Sequence, residues 1–222
     1  MTWLAKLYLW ATYRLYNEFA WAYDLASWLV SLGRWAGWRR LALDHLAGRR
    51  VLEIGFGTGE LLVEMAGRGL DASGLDLSPA MHRITARKLA RHGLQVPLVR
   101  GATQAMPFAG GRFDSVVSTF PAGYIVQAET LHEVARLLRP PDPATGAPGG
   151  SFVVVGLVIR SENRLGRWVA EFLFGIQAGA MLDRFETLAA EAGLRTRVVD
   201  LVGKGLRVPV VVADWPPEFA ET

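Results

Sequence analysis

Apolar and polar positions follow two rhythms along this chain. Short runs of β-forming residues, such as Val51–Ile54, Val116–Val117 and Phe152–Val155, alternate with stretches whose apolar residues recur at three and four. The pattern predicts helices over 3–16 and 19–47, strand 50–54, helix 58–68, strand 71–76, helix 79–92 and strand 96–100. Strand 114–119, helix 127–139, strand 151–158, helices 163–175 and 180–193, and β runs at 196–202 and 205–213 complete it. Strands that alternate with helices form a parallel sheet covered on both faces. Gly203 and Gly205 mark a hairpin between the last two runs. The expected fold is α/β: a doubly wound, seven-stranded, mostly parallel sheet with an antiparallel C-terminal hairpin. Aromatic-rich helices at 1–48 precede a core at 49–214, and 215–222 is expected to form a loose tail.

The junction between the first strand and its helix carries the chemistry. Val51-Leu52-Glu53-Ile54 runs into Gly55-Phe56-Gly57-Thr58-Gly59, and a helical pattern follows at Leu61, Leu62 and Met65. Glycines let main-chain N–H groups at a helix N-terminus approach a ligand. Asp76 closes the next strand about twenty residues on, where such sheets place a carboxylate for ribose hydroxyls. The spacing is G-x-G-x-G, and Glu60 stands where a dinucleotide fingerprint has its third glycine. Glu53 brings negative charge to the turn, which repels a pyrophosphate and attracts an amino group. S-adenosylmethionine has an amino group, a sulfonium, a ribose and no phosphate.

The residues Glu53-x-Gly55-x-Gly57-x-Gly59 resemble the first motif of the class I S-adenosylmethionine-dependent methyltransferases. Leu75-Asp76-Leu77-Ser78-Pro79-Ala80-Met81 resembles the second, with Ser78 suited to cap a helix and Pro79 to open it. Gly101–Phe108 resembles the adenine-side loop, and Phe113–Thr119 the fourth strand. Leu131–Pro140 and Gly149–Val155 resemble the following helix, turn and fifth strand. The resemblance runs in order from 50 to 213 and is similar in detail to the ubiquinone/menaquinone and phosphatidylethanolamine methyltransferase groups. It implies S-adenosylmethionine as cofactor, held by Glu53, Gly55, Gly57, Gly59, Asp76, Leu77, Met81, Ala102, Thr103 and Thr119. It also implies that the N-terminal segment closes over the cofactor, with Tyr23 in contact.

Two departures stand out. Gly101-Ala102-Thr103 lacks the carboxylate that many relatives offer to the adenine amine, leaving Thr103, Gln104 or a backbone carbonyl to substitute. The residues Pro140 to Pro148, with four prolines, are inserted before Gly149-Gly150; they suit an extended surface turn.

Composition narrows the field. The 222 residues are 51% hydrophobic, enough for a substantial core. The absence of cysteine removes disulfides, thiolate nucleophiles and cysteine metal sites. His45, His82, His92 and His132 show no metal-ligand spacing and read as helix-surface or core residues. A formal net charge of +3 demonstrates no anionic partner. No Asn-Pro-Pro-Tyr motif follows the fourth strand, so methylation of nucleic-acid bases or glutamine is not supported and no nucleic acid partner is expected.

Six of the eight tryptophans (Trp3, Trp10, Trp21, Trp28, Trp35 and Trp38) lie in the first 48 residues. Their spacings of seven and eleven bring five indoles to one stripe of a continuous helix. The longest uncharged run there, Leu25–Gly33, is too short to span a bilayer, and no signal peptide is read. Two readings stay open: a lid over the cofactor, or a lid that also meets a membrane surface through aromatic and arginine side chains. The protein is expected in the cytoplasm, with the inner membrane face as a candidate contact.

Methyl transfer is an in-line displacement that alignment and desolvation accelerate. Tyr124, shortly after the fourth strand, is the candidate to accept a proton at the carboxyl end of the sheet. The apolar run Trp168–Phe174 beside Arg160, Arg164 and Arg167 suits an acceptor with a hydrocarbon part and an anionic head. A phospholipid head group, a quinone precursor or a related metabolite fits that description. The alternatives are a non-catalytic membrane-associated cofactor-binding protein and a nicotinamide-dependent oxidoreductase; Glu53 and Glu60 count against the latter.

Overall fold

The computed structural model describes residues 35–157, 160–161, 178–199 and 206–216. A short helix α1 (Trp35–Arg40) passes into a 3-10 turn (Leu41–His45) and then into strand β1 (Arg50–Ile54). The chain continues through α2 (Glu60–Gly67), β2 (Asp71–Asp76), α3 (Pro79–Arg91), β3 (Leu98–Arg100) and β4 (Ser115–Thr119). A 3-10 turn (Gly123–Val126) leads to α4 (Ala128–Leu137), β5 (Ser151–Val155), β6 (Arg160–Ser161) and α5 (Ala178–Glu191). Strands β7 (Arg195–Val199), β8 (Leu206–Arg207) and β9 (Val210–Asp214) end the described fold. The N-terminal helices expected before Trp35, Tyr23 among them, lie outside the described residues, as does the helix expected over 163–175.

Seven strands form one sheet in the order β3-β2-β1-β4-β5-β9-β7. The first five are parallel; β9 runs antiparallel between β5 and β7. The doubly wound expectation is met, and so is the antiparallel C-terminal pair. The run expected over 205–213 is divided, however. Leu206–Arg207 pairs with Arg160–Ser161 in a separate ribbon, and the main-sheet strand begins after Pro209, which has no N–H to give a ladder. Strand β5 stops at Val155, three residues earlier than expected, because Gly156 turns to φ +74°.

Side-chain alternation explains the two layers. Leu52, Ile54, Val116, Phe152, Val154, Val211 and Ala213 point to one face, where Leu131, Val134, Met181 and Phe185 of α4 and α5 cover them. Val51, Val117, Val153, Val155, Val210 and Val212 point to the other, under Leu61, Leu62, Met65 and Met81 of α2 and α3. Burial on both faces is why these strands read as continuous apolar runs. Trp215, assigned by the sequence to a loose tail, packs against the first core, with its ring filling the space over Gly149. The proline-rich insertion folds as a small turn. Asp142 and Ala147 form a bridge, and the Asp142 carboxylate accepts hydrogen bonds from the Ala144 N–H and the Thr145 hydroxyl.

Asp114 pins the amino ends of the strands together. Its carboxylate accepts the N–H groups of Arg49 (3.1 Å) and Arg50 (3.0 Å) and the Arg50 guanidinium (2.8 Å). Arg139, beyond α4, donates a further bond at 3.3 Å. Hydrogen bonds from Arg50 hold the Asp114 carboxyl far below the usual carboxylate range, against an opposing effect of burial. A depressed folded-state value means stability that is present above about pH 4 and lost as the pH falls below it. Asp114→Ala should therefore cost about 2–4 kcal/mol at neutral pH in a urea titration. The difference from wild type should shrink below pH 4.

Candidate functional site

The carboxyl ends of β1, β2, β3 and β4 converge on the glycine turn. Gly55 continues the ladder by donating its N–H to the Leu75 carbonyl (2.7 Å). The turn then folds back with Gly57 at φ +53° and Gly59 at φ +75°, conformations that side chains rarely adopt. The two glycines have different tasks. Among the described residues nothing lies within 4 Å of a Cβ built on Gly57, so none of them covers its main chain. A Cβ on Gly59 would stand 2.3 Å from Thr85 Cγ2, so this glycine lets α2 start tightly against α3. Thr85 in turn donates its hydroxyl to the Gly57 carbonyl (2.9 Å).

Asp76 closes the turn from the neighbouring strand. Its Oδ2 accepts the Gly57 N–H (2.9 Å) and its Oδ1 the Ser78 N–H (2.8 Å). The residue is only 8% exposed, and burial raises its pKa despite these two N–H donors. Each oxygen keeps a lone pair for a hydroxyl. Leu77, the next residue, is 64% exposed, an apolar side chain held in solvent beside the carboxylate. Ser78 caps α3 by accepting the Met81 N–H, with Pro79 in the first turn, as the sequence predicts.

Glu53 lies beneath the turn, 2% exposed. Burial pushes its pKa up to about 8; the Arg39 charge opposes this, and the Asp76 charge adds to it. The Leu62 N–H also favours the ionised form, while Oε2 is buried with no hydrogen-bond partner. A buried carboxylate with an orphaned oxygen fits a cationic amino group, which brings both the charge and the donors it lacks. The negative charge expected at this turn is thus held back by burial until a cation is near.

The other sequence-identified residues divide into two groups. Ala102 is half-buried in the loop after β3, and Thr119 half-buried at the end of β4. Met81 and Thr103 turn inward. Met81 belongs to the core under the sheet, and the Thr103 hydroxyl lies 3.0 Å from that of Thr130 in a buried pair. Met81 is on the sheet-facing side of α3, and Thr103 is on a loop that packs against α4 through Thr130. Tyr124 sits on Gly55: a Cβ there would be 2.2 Å from its phenol oxygen. That oxygen lies 3.0 Å from Ser118 Oγ and donates to the Ile54 carbonyl (3.3 Å).

Two residues escape the sequence reading. Phe120, after β4, has φ +51°, the one non-glycine residue with positive φ among those described. Its ring occupies the space over Gly156 and meets Trp38 of α1 at 6.2 Å. Such strain collects at functional sites, but no sequence pattern announces it in a phenylalanine. His82 touches three segments of the site at once and carries an argument of its own below.

Glu53 should leave a signature in stability. An acid whose folded-state pKa is raised contributes stability that is whole below its unfolded value, about 4.5. It is lost as the pH rises through about 8. Wild-type protein should weaken between pH 5 and 8 in denaturant titrations, and Glu53→Gln should lack that component. A parallel decline in both proteins would assign the effect elsewhere.

Comparison with known proteins places this geometry. Residues 51–141 match the model of the methyltransferase domain family. A demethylmenaquinone methyltransferase of Beutenbergia cavernae is 35% identical over 210 residues, covering 92% of this chain and 76% of that protein. The enzyme of the same description from Thermus thermophilus is 35% identical over 147 residues. That alignment takes in 64% of this chain and only 63% of the Thermus protein's length. The fold matches geranyl diphosphate C-methyltransferase from Streptomyces coelicolor A3(2), crystallised with S-adenosyl-L-homocysteine, at a TM-score of 0.60 and 17% identity. That match covers 81% of this chain and 78% of the other. The dinucleotide alternative gains nothing here, since Glu60, in its third-glycine position, is engaged by Lys88. A glycine turn clasped by the Asp76 carboxylate, together with identity carried across most of a relative's length, settles the assignment: the chain belongs to the class I S-adenosylmethionine-dependent methyltransferases.

Proposed function

We propose that this protein transfers the methyl group of S-adenosylmethionine to a small amphiphilic acceptor, foremost an aromatic quinone precursor. The observation that carries the reading is the 35% identity with a demethylmenaquinone methyltransferase over 92% of the chain. The site geometry agrees with it. Asp76 would hold the ribose hydroxyls, Gly57 would receive the amino-acid part, and the buried Glu53 would face its positive charge. Bound there, the cofactor supplies an electrophilic methyl group on a sulfonium. Leu77 offers an apolar surface to the adenine. With ribose at β2 and the amino-acid part at β1, the acceptor falls to the side of β4 and β5.

Each of these residues acts by position. Asp76 and the turn fix one reactant, and an acceptor placed over the strand ends needs little further motion to align. Tyr124 is the residue we assign to take a proton from the acceptor, as its phenolate: Ser118 holds the phenol oxygen at the meeting point of β1 and β4, and the proton now given to the Ile54 carbonyl would first leave to solvent. Phe120 and Trp38 add aromatic surface on the acceptor side. We extend the reading to the N-terminal segment on its sequence alone: a cover that excludes water, whose tryptophans also meet the membrane in which a prenylated acceptor resides.

Purified protein with labelled methyl donor should label a demethylated naphthoquinol and not an ethanolamine head group. Label in the ethanolamine lipid alone would replace the acceptor assignment, and label in neither would remove the enzymatic one. Asp76→Ala should lose about 2–3 kcal/mol of cofactor affinity by calorimetry. Tyr124→Phe should keep that affinity and lower kcat by about a hundredfold.

The membrane reading has its own check. Replacing Trp3 and Trp10 with Ser should reduce co-sedimentation with anionic vesicles while leaving cofactor affinity unchanged. If wild-type protein sediments equally with and without vesicles, the segment is a cover and nothing more.

A further inference from the structure

His82 stands in the first turn of α3, behind the strand ends. Its Nε2 lies 3.1 Å from the Asp76 carbonyl oxygen and 3.1 Å from the Val99 carbonyl oxygen. Both neighbours are acceptors, so the hydrogen-bond network places the proton on Nε2, shared between the two. The ring also meets Phe56 edge-on, with centroids 5.0 Å apart and planes at 62°. Phe56 is the residue between Gly55 and Gly57. One half-buried imidazole therefore joins the glycine turn, the residue that bears the ribose-side carboxylate, and the end of β3.

The turn is tied to β2 by the Gly55–Leu75 and Gly57–Asp76 bonds, and the β3 end by the Arg100 guanidinium, which donates to the Leu77 carbonyl at 3.3 Å. Strand β3 is an edge strand of three residues, paired to β2 only through Gly74–Leu98, Leu75–Val99 and Asp76–Arg100. Beyond it the Gly101 N–H donates to the same Asp76 carbonyl at 3.2 Å, and the chain enters the loop that carries Ala102. A short edge strand frays unless something holds its end. The His82 N–H sits where the β2–β3 ladder runs out.

We infer that His82 is a positioning residue for the adenosine half of the site: its Nε2–H clamps the ends of β2 and β3 together, and its ring sets Phe56, so that Asp76, Leu77 and the 101–103 loop face one ligand. The imidazole itself touches no reacting atom; it acts through Asp76 and the loop. A plain helix-packing histidine would have its ring nitrogens in solvent or on its own helix. Here Nε2 is spent on two strands, and the ring on the turn between them.

The inference rests on the cofactor reading above, and the test separates the two. Binding of S-adenosylhomocysteine and of adenosine is measured by calorimetry for wild type, His82→Phe, His82→Gln and Leu89→Ala, with thermal unfolding of each. His82→Phe keeps the ring against Phe56 and removes the donor. His82→Gln returns an N–H near the Nε2 position. Leu89→Ala removes a buried side chain from the same helix far from the site, and so reports what destabilisation alone does. The expected result is a loss of about tenfold in affinity for both ligands in His82→Phe. His82→Gln should recover most of it, Leu89→Ala should bind as wild type does, and the KM for the cofactor should rise with little change in kcat.

Wild-type protein that binds neither ligand would overturn the cofactor reading itself. Wild type that binds while His82→Phe binds equally well would overturn the role of His82 and leave the cofactor reading standing. Equal weakening in His82→Phe and Leu89→Ala would reduce His82 to a stability residue. Failure of His82→Gln to recover affinity would remove the donor from the argument.

Discussion

The structure turns on one hydrogen bond, from the Gly57 N–H to the Asp76 carboxylate. It joins two parallel strands at the point where both have ended and their ladder offers no further partners. Without it the glycine turn, built from residues chosen for freedom, would have nothing to choose one conformation among many. With it, the turn is fixed by the same carboxylate that has lone pairs left for a ligand. On the proposed cofactor reading, organisation of the loop and recognition of the ribose would therefore not be separate functions of Asp76. Thr85 closes the other side by binding the Gly57 carbonyl, and it can do so only because Gly59 has no side chain in the way.

The rest of the sheet keeps these atoms in register. Strands buried on both faces leave no room for polar groups except where a partner is built in. Glu53 Oε2 aside, the strand and loop hydroxyls inside are accordingly paired: Ser115 with the Ala47 carbonyl, Ser118 with the Ile54 carbonyl, Thr103 with Thr130. At the amino ends Asp114 collects three backbone or guanidinium donors from Arg49 and Arg50. The molecule thus has one carboxylate clasp at each end of its central strands. The amino-end clasp is ionised and fully occupied, which suits an anchor. The carboxyl-end clasp is half-occupied and raised in pKa, which suits a site.

The strand positions and the glycine turn were legible because they obey local rules. Continuous β-formers, a glycine triplet and a Ser-Pro cap each have a single cheap conformation. The limits of α2, α3, α4 and α5 agreed to within a few residues for the same reason. What the sequence concealed was anything set by direction in space. Met81 and Thr103 sit at motif positions, yet their side chains turn to the core, because helix phase and the passage of α4 behind the loop decide that. The split of the last β run at Pro209 followed from the missing N–H, but the second ribbon it created depends on a partner far back in the chain, in the register Ser161–Leu206 and Arg160–Arg207. His82 reads on paper as one of four scattered histidines. Only the sheet brings Asp76 and Val99 to the same ring nitrogen.

Electrostatics connects the geometry of the site to its proposed use. Glu53 and Asp76 are both buried; burial and the Asp76 charge raise the cost of ionising Glu53, and the nearby compensation is Arg39 and the Leu62 N–H. Glu53, pushed up to about 8, holds less than its full negative charge alone and favours a ligand that brings positive charge. S-Adenosylmethionine has two such charges, on its amino group and its sulfur; after methyl transfer the sulfur is neutral. With the cofactor held as proposed, Glu53 and Asp76 would see one fewer cation in the product than in the substrate. Burial would make that difference count, since a charge is worth more where water is scarce. A site built this way would grip the cofactor before the reaction more firmly than the product after it, with no moving part required.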